Sequence, residues 1–206
     1  MAKKPEIIFA EPKQDRSKKT LDDLLEAALD LADSGDLNAL TSRSLSKKSG
    51  YSLGTLNKRL TSVDKIFLWA IKKGQEKHLA KFARQVDDFD PGKPLKNLLE
   101  DLVDGSFAAI KQVNPLVIRF YEERVTKFSR QENPYEFGDA LVGPFLRAAH
   151  RDQTNTFRKM PEDELQFIAR TMFIFIERPF VDLDPLAGTE EHRRIAIDNF
   201  LRLLGK

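Results

Sequence analysis

Residues 41–60 read TSRSLSKKSGYSLGTLNKRL, and this stretch decides the fold of the first part of the chain. Thr41 and Ser52 each precede a short segment with apolar residues at helical spacing, and both residue types cap helices by accepting a backbone N–H. Gly50 lies between the segments, where a left-handed backbone permits a tight turn. The stretch therefore predicts two short helices joined by a turn. They span about 42–49 and 53–59.

Longer helices are predicted on both sides of this stretch, at about 18–33 and 63–87, because apolar residues recur there on one helical face. Two short helices that cross steeply cannot bury a core alone, so the flanking helices must close it. The predicted core residues are Leu24, Ala28, Leu45, Tyr51, Leu56 and Leu60.

The remainder of the chain also predicts helices, since no segment sustains the period-two alternation of a strand. The breaks at Asn114-Pro115 and Pro161 separate helical patterns. The predicted class is all-α, with about nine helices. Those beyond residue 88 lie at about 94–112, 115–129, 135–151, 161–183 and 187–204.

The composition excludes several kinds of protein. The 206-residue chain is 41% hydrophobic and 32% charged and has no cysteine, so it holds no disulfide framework and no thiol nucleophile. Its three histidines have no metal-ligand spacing, and no apolar run approaches the ~20 residues of a membrane helix. No glycine-rich phosphate loop or HExxH motif is present. We therefore predict a cytoplasmic protein with no membrane association that is not an enzyme and uses no metal or other cofactor.

The two short helices at 42–49 and 53–59 form a helix-turn-helix, and basic residues are concentrated in and around it. Residues 41–73 contain eight basic residues and one acidic residue, Asp64. Such a segment indicates either a polyanionic partner or merely a solvated helical face. The side of the second short helix that faces away from the core would carry Ser52, Leu53, Thr55, Lys58 and Arg59, and Gly54 would let DNA approach the backbone closely.

Residues 20–71 resemble the amino-terminal domain of the TetR family of bacterial transcriptional regulators. The resemblance rests on Thr41, Arg43 and Leu45 and on the SGYSLGTLN stretch at 49–57. It implies a dimeric regulator that binds palindromic double-stranded DNA, most often a repressor that responds to a small molecule. The predicted domains are a flexible basic arm at 1–16, a helix-turn-helix domain at 17–62, a connecting helix at 63–88 and a helical regulatory and dimerisation domain at 89–206.

The resemblance also implies which residues contact DNA. This chain has Asn57 and Val63 where the family usually has a tyrosine and a lysine that bind phosphate, and Lys58, Arg59 and Lys65 are expected to supply that charge instead. These two departures favour an alternative, a helical protein-interaction module whose helix-turn-helix does not read DNA. The predicted DNA-binding residues are Thr41, Arg43, Ser52, Leu53, Gly54, Thr55, Asn57, Lys58, Arg59 and Lys65.

For the second domain, the resemblance implies a pocket for an effector of unknown identity and a homodimer formed by the last two helices. The stretch at 171–176 is apolar nearly all round, so it must be covered by its own core or by a partner. Aromatic residues at helical spacing equally suit a plain core, and Arg124 suits either a ligand carboxylate or a neighbouring glutamate. The predicted pocket residues are Phe107, Ile110, Phe120, Tyr121, Arg124, Phe145 and Met172.

Overall fold

The computed structural model describes residues 15–34, 36–60, 62–128 and 136–206, without the side chains of 15–17, 37, 59, 125–128, 136 and 137. Within these ranges the chain forms nine α-helices, one 3-10 turn at Leu37–Ala39 and no strand, which confirms the predicted class. The helices are α1 (Asp15–Asp33), α2 (Ser42–Ser49), α3 (Leu53–Arg59), α4 (Val63–Asp87), α5 (Leu95–Ile110), α6 (Pro115–Phe128), α7 (Glu136–Arg151), α8 (Glu162–Val181) and α9 (Glu190–Leu204).

The helices of the motif have the limits that their caps predict. α2, α3 and α4 span the predicted residues, whereas α1 begins at Asp15, inside the last residues of the predicted arm. Positions 1–14 of that arm lie outside the described residues. The capping residues Thr41 and Ser52 locate the starts of α2 and α3, and apolar periodicity alone locates α4.

The chain divides into two compact units. The amino-terminal unit comprises Met1–Glu76 and Val113–Glu132, and the carboxy-terminal unit comprises Lys77–Gln112 and Asn133–Lys206. α6 thus belongs to the same unit as the helix-turn-helix. The domain limits drawn from the sequence remain predictions.

The core of the amino-terminal unit gathers the apolar residues of α1 to α4. Leu24, Leu45 and Leu56 are completely buried there, and Phe120 of α6 packs into the same cluster. The predicted core residue Tyr51 is half-buried and donates its phenolic hydrogen to an Asp23 carboxylate oxygen at 2.7 Å. α1 therefore anchors the turn of the helix-turn-helix directly.

The core of the carboxy-terminal unit lies among α5, α7, α8 and α9. α7 and α8 approach closely at Gly138, where a Cβ atom would stand 2.9 Å from the backbone of Arg170. Beside this contact the Arg170 guanidinium donates to both carboxylate oxygens of Asp139, at 2.6 and 2.9 Å. Close packing and a two-pronged ion pair thus fix these helices together. No helix of the described chain is long and apolar enough to cross a membrane.

Candidate nucleic-acid interface

Two side-chain caps shape the helix-turn-helix. Thr41 Oγ1 accepts the backbone N–H of Ser44 at 3.2 Å, and Ser52 Oγ accepts that of Thr55 at 3.2 Å. Each cap satisfies one of the backbone donors that the first turn of a helix leaves without a partner. The capping roles predicted for these two residues are confirmed.

The turn between α2 and α3 is fixed by further local hydrogen bonds. Gly50 has φ +76°, the left-handed conformation predicted for it, and its N–H donates to the Ser46 carbonyl at 3.0 Å. The Ser46 hydroxyl donates to the Tyr51 carbonyl at 2.6 Å, and the Ser49 hydroxyl donates to the Leu45 carbonyl at 2.7 Å. The direction of α3 relative to α2 is therefore set by the sequence of the turn itself.

α3 buries one side and leaves the other exposed. Leu56 points into the core with no exposed surface, and Leu60 follows it at 7% exposure. The opposite side of the helix carries small or polar residues and one apolar one, Leu53, which is 42% exposed. The exposed members of this α3 surface are Ser52, Leu53, Gly54, Asn57 and Lys58.

The other predicted DNA-binding residues differ in exposure. Thr41 and Arg43 are exposed at the start of α2, whereas Thr55 and Lys65 are half-buried. The side chain of Arg59 lies outside the described residues. Contact of any of these residues with DNA stays a prediction.

Several cations of the motif have no anionic partner among the residues that the structure describes. Within the described residues Arg43, Lys47 and Lys58 form no ion pair, whereas Lys48 lies 3.0 Å from an Asp30 carboxylate oxygen. Charges that are not neutralised internally attract a polyanion more strongly than paired ones do. The exposed surface of α2 and α3 is therefore electrostatically suited to phosphate.

The predicted pocket residues fall into two groups. Phe120, Tyr121 and Arg124 belong to the amino-terminal unit, and the Arg124 guanidinium stacks 3.9 Å over the Phe120 ring. Arg124 also lies 4.0 Å from Asp64 and 3.8 Å from Glu123, so a neighbouring glutamate is one of its partners.

The other predicted pocket residues belong to the core of the carboxy-terminal unit: Phe107, Ile110, Phe145 and Met172. The ring of Phe107 packs 4.7 Å from that of His192 and 5.3 Å from that of Phe180. A pocket formed by the whole predicted set stays a prediction.

The carboxy-terminal unit contains a cavity of about 240 Å³ that the sequence analysis missed, apart from Phe145 in its wall. Its lining comes from α7, from the connection between α7 and α8, from Leu165 of α8, and from Leu204 at the end of α9. Leu204 is far in sequence from the other lining residues, so no local pattern associates it with them. Among the described residues, no cluster of three or more His, Asp or Glu is placed to hold a metal ion.

Solved structures with similar folds exist, although the sequence matches no protein-family model and no curated protein. A Mesorhizobium loti protein described as a TetR-family transcriptional regulator aligns with a TM-score of 0.66 and 14% identity, covering 94% of this chain and all of the other. A Shewanella protein described in the same way aligns with a TM-score of 0.55 and 17% identity, covering 91% of this chain and 98% of the other. The chain therefore has the all-helical fold of TetR-family transcriptional regulators.

Proposed function

We propose that this protein is a transcriptional regulator that binds double-stranded DNA as a homodimer and releases or retains it in response to a small ligand. α3 is proposed to enter the major groove, with Arg43 and the start of α2 beside the phosphate backbone. The observation that carries the proposal is the α3 surface. It is exposed and capped, and it is flanked by cations that form no ion pair within the described parts of the chain.

The chemistry of the α3 surface suits this role. Hydroxyl and amide side chains at Ser52 and Asn57 form hydrogen bonds with bases or phosphates, and Lys58 adds a positive charge. Gly54 has no side chain, so backbone can approach the duplex closely. Affinity for the phosphate backbone comes mainly from such cations, whereas sequence preference comes from contacts with base edges.

Dimerisation through α8 and α9 is supported by an exposed apolar face on α8. Phe167 is 70% exposed and Ile174 is 45% exposed, although both belong to a helix whose other side packs in the core. Large exposed apolar side chains on one helical face are typical of protein interfaces. A dimer that places its α3 helices about 34–36 Å apart would fit successive major grooves of a palindromic site.

Ligand response would follow from unequal binding. A ligand that binds the DNA-free arrangement of the dimer more tightly than the DNA-bound one lowers the affinity for DNA by that ratio. The proposed effector is a small molecule bound in the carboxy-terminal unit.

Selection of bound fragments from a random DNA pool tests the proposal. We expect enrichment of a palindromic sequence by the unchanged protein. Arg43→Ala should weaken binding to that sequence, whereas Lys96→Ala, which removes an exposed lysine from α5, should leave it unchanged. Recovery of fragments without a common sequence, or equal effects of both variants, would contradict the proposal.

One observation favours a second candidate, the protein-interaction module. Val63 is half-buried and packs against the core of the amino-terminal unit, so it offers no charge where the resemblance implies a phosphate-binding lysine. A module of this kind would bind DNA with little dependence on salt concentration, because it makes few phosphate contacts.

A further inference from the structure

We propose that the cavity of the carboxy-terminal unit binds a small amphipathic carboxylate, with its apolar tail inside and its carboxylate against Arg158. The inference deepens the ligand response proposed above and rests on it for its regulatory meaning, although binding itself needs no DNA.

The lining of the cavity is apolar on most sides. Phe145 and Phe157 contribute aromatic rings, and Leu165 and Leu204 contribute aliphatic side chains from α8 and α9. All four are buried, with exposures of 5% or less. Burying an alkyl or aryl tail here would remove apolar surface from water at about 25 cal/mol per Å².

The size of the cavity restricts the tail. Its volume of about 240 Å³ lies below the roughly 300–1,000 Å³ of sites for drug-sized ligands. A medium-chain fatty acid or a single-ring aromatic acid suits this volume, whereas a multi-ring compound does not.

The polar side chains of the lining all belong to basic residues. His150, Arg158 and Lys159 line the cavity, and none of the described lining residues is acidic. A tail with a carboxylate therefore finds its counter-charge in the lining, whereas the nearby Glu164 carboxylate, which an amine would need, is already paired with Arg158. Arginine is the best of these partners because its planar guanidinium matches the geometry of a carboxylate.

Arg158 retains a donor for such a ligand. One of its terminal nitrogens donates to a Glu164 carboxylate oxygen at 2.7 Å, but its Nε–H is buried and meets no acceptor among the described residues. A buried donor without an acceptor is unfavourable by about 1–3 kcal/mol. A small shift of the guanidinium towards the cavity would expose this donor, and a bound carboxylate would then supply the missing acceptor.

The wall around Arg158 is held in place before any ligand binds. The Asp152 carboxylate accepts the backbone N–H groups of Thr156 and Phe157 at 2.8 and 2.9 Å, which fixes the connection after α7. The backbone N–H of Arg158 donates to the Leu204 carbonyl at 2.7 Å, so the end of α9 closes another side of the cavity. A preformed site lowers the entropic cost of binding.

Titration calorimetry of the full chain without DNA tests the proposal, with octanoate and benzoate as probes and octanol and octylamine as their uncharged and cationic counterparts. We expect saturable binding of at least one acid, and binding of octanol and octylamine at least tenfold weaker than that of the better acid. Octanol or octylamine binding within tenfold of the better acid would overturn the proposal, as would a lack of binding by both acids.

Two variants locate the site, and circular dichroism verifies that they fold. Arg158→Gln should weaken acid binding about ten- to hundredfold, which is the loss of a hydrogen bond to a charged group. Ala149→Phe, which fills the cavity, should abolish it. Arg178→Gln, a matched arginine of α8 that does not line the cavity, should have no effect. Unchanged binding by Arg158→Gln or by Ala149→Phe would overturn the assignment, and since no DNA is present, either result leaves the proposed DNA binding untouched.

Discussion

The α3 surface and the exposed face of α8 leave side chains of opposite chemistry uncovered. Apart from Leu53, the α3 surface presents hydroxyl, amide and ammonium groups, whereas the face of α8 presents Phe167 and Ile174. Water already solvates the first set well, so an ionic partner gains mainly by charge attraction and release of counterions. The second set gains by leaving water altogether. The chemistry of the exposed side chains, rather than their exposure alone, therefore indicates which kind of partner each surface binds.

The two helices also differ in how they are supported. α3 has seven residues, too few to be stable alone, so it depends on its cap and on the packing of Leu56. α8 has 20 residues and buries Leu165, Ile168, Met172 and Ile176 against its own unit. Substitutions on α3 can thus impair folding or binding, and these effects must be separated.

The largest expected effect is a loss of dimerisation caused by substitutions on the exposed face of α8. Replacing Phe167 and Ile174 together by glutamate should convert the proposed dimer into a monomer, because charges would be buried without partners in the interface. Light scattering coupled to size exclusion measures the mass. Leu183→Glu, which alters an apolar side chain that is 66% exposed outside α8, is the control and should leave the mass unchanged. A double variant that keeps the mass of the unchanged protein would refute the predicted interface.

Leu56→Ala tests the support of α3. The substitution should lower the free energy of unfolding by about 2–5 kcal/mol, because it leaves a cavity in the core. Leu53→Ala is the matched control on the same helix, and its effect should stay within about 0.5 kcal/mol because the side chain is exposed. Urea denaturation measures both, and equal losses would mean that α3 does not bury the side observed here.

Asp152→Asn tests whether a half-buried carboxylate fixes the connection after α7, as the hydroxyl caps fix the starts of α2 and α3. The amide nitrogen that replaces one oxygen cannot accept a hydrogen bond, so either the Thr154 N–H or the N–H groups of Thr156 and Phe157 lose their acceptor, and stability should fall by about 1–3 kcal/mol. Asp88→Asn, an exposed aspartate, is the control in the same denaturation series. A loss no larger than that of Asp88→Asn would show that the connection does not depend on this carboxylate.

The same carboxylate predicts a pH dependence. Burial alone would raise the pKa of Asp152, but hydrogen bonds from Phe157, Thr154 and Thr156 outweigh it and hold the pKa below its usual value. Because the pKa of Asp152 is lower in the folded state than in the unfolded chain, its charged form stabilises the fold. This stabilisation is fully present above the unfolded pKa of about 3.9 and is lost as the pH falls through the pKa of the folded state. The unchanged protein should therefore lose more stability below about pH 4 than Asp152→Asn does. Parallel pH profiles would contradict this.

The smallest expected change in stability comes from removing the Thr41 cap of α2. Thr41→Ala should lower the unfolding free energy by about 1 kcal/mol, because the N–H of Ser44 loses its acceptor. Ser34→Ala is a suitable control, since its hydroxyl is exposed and donates only to the Leu31 carbonyl among the contacts described. Thermal unfolding measures the stability of both variants. A Thr41→Ala variant as stable as the control would mean that this cap does not stabilise the protein.

The sequence predicted the motif well because its information is local. Thr41, Gly50 and Ser52 act within four residues of their own positions, so residue type and spacing specify the backbone. The remainder depends on contacts between distant segments. Nothing in the composition of α6 indicates that Phe120 packs with the amino-terminal core, and nothing near Arg158 indicates that Leu204 faces the same cavity. Aromatic residues such as Phe107 look alike in sequence whether they line a pocket or fill a core.

Salt dependence of binding to the selected DNA, measured by fluorescence anisotropy for the unchanged protein and for Lys58→Ala, tests the central claim most directly. If the α3 surface lies against phosphate, log affinity falls steeply with log salt, by about 0.9 per contacted phosphate, and Lys58→Ala makes the slope shallower by about that amount. Lys96→Ala should leave the slope unchanged. A flat dependence for the unchanged protein, or a slope that Lys58→Ala does not alter, would contradict the account.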